Sequence, residues 1–168
     1  MTASKAELLD KLRTSADEVA SKLRAIPPES YEEGRYESGW NGRQILAHIA
    51  AIEWSYPRLI DVAREAQAGP KPEASEGKPA EPAHRPVRGG INDYNERQVE
   101  KRAQMSVEEL ITEFEANRAT TIAAFEQADE SLLSQPIKSA GGVTGPLSDV
   151  VSLIAIMHVD QHARDIAG

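Results

Sequence analysis

The residues with the clearest capacity for chemistry are four histidines, His48, His84, His158 and His162. Cysteine is absent, so thiolate ligation, a disulfide framework and a cysteine nucleophile are excluded. An imidazole can bind a metal, move a proton or serve as a hydrogen-bonded core residue. His158 and His162 are four residues apart. On a helix that spacing projects both rings from one face, about one turn apart, within reach of one ion at roughly 2.0–2.2 Å. Leu147, Val151 and Ile154 continue this face, and Ile45 and Ile52 flank His48. Each helix is therefore expected to turn its histidine inward. Three imidazoles buried without partners carry a desolvation cost that one metal ion would relieve. The alternative is a set of core histidines that hydrogen-bond one another. His84, between Ala83 and Arg85, reads as an exposed loop residue.

Three histidine ligands leave coordination positions open for water or substrate, as catalytic sites do. A metal so held lowers the pKa of a bound water or thiol, or polarises a carbonyl. All-nitrogen ligation suits zinc, nickel, iron or copper, and the spacing does not choose among them. Glu53 reads as solvated, and Asp160 and Asp165 as lying off the histidine face, so no carboxylate stands out as a fourth ligand. A carboxylate that holds a ring N–H from behind is expected without being assignable. Gly141-Gly142-Val143-Thr144-Gly145 lacks the Lys-Ser/Thr ending of a phosphate loop. Neither a nucleophile elbow nor a dinucleotide fingerprint occurs.

The elements that must position these histidines follow from apolar periodicity. Leu8, Leu12, Val19, Leu23 and Ile26 predict a first helix over about 4–26, with Ser4 and Glu7 as a capping box and Pro27-Pro28 as its stop. A second is predicted over about 41–66, capped by Asn41 with Gln44 and interrupted at Pro57, where a kink is one outcome. Residues 67–90, rich in Pro and Gly, read as a long irregular crossover. A short helix over about 92–103 precedes a third long one that starts at Ser106 with Glu109 and carries Leu110, Phe114, Thr121 and Phe125. The fourth starts near Pro146. No strand-like alternation of useful length appears. The expected fold is all-α, a four-helix bundle in one domain over 1–168. Trp40 reads as a staple or core anchor, with pocket lining as the alternative, and Trp54 and Tyr56 read as packing or interface residues. Tyr94 and Asn95 read as packing and capping residues, with a place at the metal pocket as the alternative.

Composition bounds the function. The 168 residues are 40% apolar and 27% charged, ordinary for a globular domain. With 19 Lys and Arg against 27 Asp and Glu, the net charge is -8, which disfavours a nucleic-acid partner. The N-terminal run has acidic residues where an export signal would be apolar, and no apolar stretch could span a bilayer. The sequence therefore predicts a cytoplasmic protein.

The run Gly39-Trp40-Asn41-Gly42-Arg43-Gln44-Ile45-Leu46-Ala47-His48 resembles the second-helix signature of the DinB/YfiT-like superfamily. The run from Leu147 through His158-Val159-Asp160-Gln161-His162 resembles its late paired-histidine motif. The order of an early His, a long crossover and a late HxxxH matches over nearly the whole chain. The resemblance implies an up-up-down-down bundle with its crossover between helices 2 and 3, often dimeric. It also implies a divalent metal, zinc or nickel first, on His48, His158 and His162. Some members are thiol-dependent transferases or isomerases using bacillithiol, mycothiol or glutathione, so the implied partners are a small molecule and a low-molecular-weight thiol. Others could keep the triad for binding alone. The Pro-rich crossover departs from the pattern, so no substrate carries over.

Overall fold

Three helices begin at side chains that satisfy their own first backbone groups. Ser4 with Glu7, Asn41 with Gln44 and Ser106 with Glu109 each form a reciprocal capping box. In the computed structural model, which describes residues 3–36, 39–69 and 89–168, they lead α1 (Lys5–Ala25), α2 (Gly42–Glu53) and α5 (Val107–Gln127). Beside these stand α3 (Arg58–Ala68) and α4 (Gly90–Lys101). The fourth bundle helix is built from α6 (Leu147–Val151), a π-helical turn (Ser152–Met157) and α7 (His158–Ala167). Together α1, α2, α5 and α6–α7 form a four-helix bundle: α1 and α2 both pack on α5 and on α7, and α4 lies against α2. Among the described residues, no helix is long and apolar enough to cross a membrane.

The interruption expected at Pro57 is a full break rather than a kink. The Ser55 and Tyr56 N–H groups reach back only three residues, to Ile52 and Glu53, and Pro57 has no N–H to carry the ladder on. The chain therefore turns at 54–57 and restarts as α3. The loop before the fourth helix contains an antiparallel hairpin of β1 (Pro136–Lys138) and β2 (Thr144–Pro146), with Ile137 opposite Gly145. Strands of three residues are too short for alternation to be visible in the sequence. Of the crossover expected over 67–90, residues 70–88 lie outside the described residues, and His84 with them.

Among the described residues, apolar burial falls into two clusters. One joins Leu8 and Leu12 of α1 to Leu59 and Ile60 of α3, Phe125 and Val151. The other joins Val19 and Leu23 of α1 to Ile45 and Ile49 of α2, Phe114 and Val159. Between them lies Arg118 of α5, itself fully buried. Its five N–H groups meet five acceptors: both carboxylate oxygens of Glu53, Leu12 O, Ser15 Oγ and Ala155 O. One guanidinium thus ties together all four helices of the bundle. Glu53, expected to be solvated, is completely buried as its partner.

The fourth helix departs from α periodicity. Its fully buried stripe is Leu147, Val151, Ala155, Val159 and Ala163, in four-residue steps. An α-helix of 3.6 residues per turn would drift away from such a stripe, and the wider π turn keeps it in line. The expected face of Leu147, Val151, Ile154, His158 and His162 is therefore split. Ile154, His158 and His162 each precede a buried residue by one, so they lie beside the core stripe rather than on it. His158 is correspondingly exposed, which corrects the expectation of a fully inward ring.

Candidate metal centre

His48 enters from the second turn of α2, and His158 and His162 enter from the first turns of α7. The ring centroids are 5.9 Å apart for His48 and His158, 5.1 Å for His48 and His162, and 4.3 Å for His158 and His162. One ring nitrogen from each lies within 4.8 Å of the other two. His48 is buried beneath Trp40, whose ring is 5.3 Å away. Trp40 thus does more than staple the start of α2: it walls the cluster.

A carboxylate stands behind His162: Asp165, expected off the histidine face, joins the cluster from the rear. The Tyr36 hydroxyl donates to Asp165 Oδ2 at 2.6 Å and lies 2.7 Å from His162 Nδ1. A phenol that gives its proton to Asp165 can only accept from the ring, so His162 Nδ1 carries the hydrogen. The lone pair is left on Nε2, which is buried and has no hydrogen-bond partner. His48 Nδ1 is buried and unpartnered as well. Two such nitrogens in one cluster are the defect that a metal ion would repair, and the tyrosine–carboxylate relay would orient the His162 imidazole toward such an ion. The donor set fits a divalent transition metal.

The electrostatics favour neutral rings. Burial first, then the neighbouring His162 and His158, lowers His48 to about 3. Burial and His158 lower His162 to about 4, against an upward pull from Asp165. Desolvation also lowers His158, and Asp165 again opposes it. Burial alone would raise Asp165, but the bonds from Tyr36 and Gln161 and the His162 ring outweigh it and leave it below its ordinary value. Burial and Asp165 hold the Tyr36 phenol above its usual range, so it remains a donor.

His48 and His158 line a cavity of about 740 Å³. Its walls are largely apolar, with Ile52, Leu59, Val62, Val143, Leu153 and Ile154. Tyr94 and Asn95 of α4 line it too, so these two do approach the centre, and Asn95 Oδ1 is buried there without a partner. Arg58 and Lys138 bring positive charge to its lining.

The sequence profile of the DinB superfamily matches residues 11–166. The chain belongs to the DinB superfamily. Among solved structures this DinB chain is similar to a mycothiol-dependent maleylpyruvate isomerase, at 18% identity and TM-score 0.67, over 99% of this chain and 62% of that one. It is also similar to the colibactin self-resistance protein ClbS in complex with a dsDNA, at 13% identity and TM-score 0.64, over 99% of this chain and 94% of that one. A third likeness is to an uncharacterised protein from Clostridium difficile 630, at 10% identity and TM-score 0.61, covering 99% and 95% of the two chains. At such identities these likenesses show the fold alone, and the chain spans only 62% of the isomerase's length. No curated protein matches the sequence.

Sequence reasoning found the three histidines and missed their supports. Tyr36 lies in an irregular loop, fastened by the Arg35 N–H to Trp40 O and by the Arg35 side chain to Ile166 O. Nothing periodic announces it. Asp165 carried a signal, since three residues after His162 is the neighbouring position on a helix face. Arg118 carried one too: it falls on the stripe between Phe114 and Phe125.

Proposed function

We propose that His48, His158 and His162 hold one divalent metal ion, zinc or nickel first, and that the centre serves a thiol-dependent transferase or isomerase reaction on a small molecule. The observation that carries this reading is the pair of buried, unpartnered nitrogens, His48 Nδ1 and His162 Nε2, in a cluster whose rings are held neutral. The bound ion would supply Lewis acidity, lowering the pKa of a thiol or water or polarising a carbonyl. The chain's own groups do the rest. Tyr36 and Asp165 fix the tautomer and angle of His162. The apolar walls admit an uncharged body and exclude water from it. Arg58 and Lys138 attract an anionic group on the substrate or the thiol.

A cytoplasmic homodimer is the assembly proposed. The exposed side chains of Trp54, Leu153 and Met157 offer it apolar surface. The net charge of -8 supports a small-molecule partner over nucleic acid, and a titration with duplex DNA that shows salt-sensitive binding would overturn that part. A second reading, a non-catalytic metal- or ligand-binding stress-response bundle, draws support from the described cavity lining, which includes no carboxylate to act as a base. Thiol consumption by the metal-loaded protein separates the two. Metal-dependent turnover of an electrophile with glutathione, mycothiol or bacillithiol is the expected result. Stoichiometric metal without turnover for any of the three would favour the binding role.

A further inference from the structure

The π turn has a definite hydrogen-bond defect. The His158 N–H bonds to Leu153 O, five residues back, instead of to Ile154 O, its α-helical acceptor. Ile154 O is thereby released, and the buried Tyr56 hydroxyl donates to it at 2.7 Å. The adjoining carbonyl, Ala155 O, takes a hydrogen from Arg118 Nη2, whose guanidinium is locked by Glu53. Both donors come from outside the fourth helix. Tyr56 lies in the turn between α2 and α3, and Arg118 belongs to α5.

We infer that Tyr56 and Arg118 are positioning residues for the histidine cluster: by occupying the carbonyls of Ile154 and Ala155 they hold the π turn open, and the turn sets where His158 and His162 point. An α-helix rotates about 100° per residue. Closing the turn into α geometry would therefore swing α7 by about that angle relative to Leu147 and Val151. His158 and His162 would move together. Their mutual spacing within α7 would survive, while both would leave His48. The same swing would take Val159 and Ala163 off the core stripe, so burial opposes it alongside the two donors. Burial and the Glu53 charge keep the Tyr56 phenol protonated, as a donor must be.

For its effect on metal this inference rests on the proposed three-histidine site, but its geometry can be read without metal. The experiment is Tyr56→Phe in the full chain, which removes one hydroxyl and keeps the ring that packs. Proton contacts between histidine rings are measured by NMR in metal-free protein, and zinc affinity is measured by competition with a chelator. The expected result is a selective loss. The His48–His158 and His48–His162 contacts weaken, the His158–His162 contact persists, and the zinc Kd rises roughly tenfold or more. Unchanged His48 contacts would overturn the inference, even if the melting temperature fell, because a purely structural hydroxyl would act on stability alone. Should the parent bind no zinc, the metal reading fails by itself, and the ring contacts still decide the role of Tyr56.

Discussion

At the scale of single residues, the histidine cluster is backed by groups outside it, Tyr36 and Asp165 standing behind His162. Tyr36→Phe should leave the fold intact, since it removes one hydroxyl of a loop residue and keeps the ring. It should nonetheless weaken zinc binding by about tenfold or more, because His162 loses the bond that fixes its tautomer. Equal zinc affinity in parent and variant would show the relay to be idle. The histidines also predict a pH dependence. His48 at about 3 and His162 at about 4 lie below their ordinary 6.5. Between those values and 6.5 the unfolded chain binds more protons than the folded one, so the stability these rings contribute is full above 6.5 and declines as pH falls toward 4. Zinc should be released in the same direction, because protons compete for the ligand nitrogens. Thermal melts of metal-free protein across this range, beside His48→Gln, should show the parent losing stability more steeply than the variant. Parallel curves would contradict it.

At the scale of elements, what was legible in the sequence was what local chemistry dictates. The three capping boxes lie within four residues, so Ser4, Asn41 and Ser106 announced their helices correctly. His158 and His162 could be placed on one helix face because four-residue spacing is a property of any helix, whereas His48 was joined to them only by the inward apolar faces and the family resemblance. The exact face of the fourth helix was not legible. Leu147 and Val151 share a stripe with Ala155 and Val159 only because Ser152–Met157 is π-helical, and the donors that meet its carbonyls, Tyr56 and Arg118, are 98 and 37 residues distant in the chain. Glu53 was misread for the same reason, since its partner is 65 residues away. The Arg118 knot makes its own prediction. Arg118→Ala strands the Glu53 carboxylate between two apolar clusters and should cost about 3–5 kcal/mol in urea unfolding. Pairing Arg118→Met with Glu53→Gln should recover much of that loss. A single variant as stable as the parent would mean that the buried charge is compensated elsewhere.

At the scale of the whole molecule, the bundle brings helices distant in sequence around a cluster that no one helix could build. The bundle holds the rings neutral through burial, backs His162 with Tyr36 and Asp165, and opens the cluster onto an apolar cavity. A ligand that binds only the native state must stabilise it, by RT ln(1 + [L]/Kd). Saturating zinc should therefore raise the melting temperature of the metal-free protein, and a chelator should reverse the rise. A melting temperature indifferent to zinc would count against a native metal site. Elemental analysis of tag-free protein purified beside His158→Ala decides whether the histidine cluster holds a metal. Close to one divalent metal per chain is expected in the parent, with its loss in the variant. No bound metal in either, even after soaking with zinc and nickel, would contradict the three-histidine metal site.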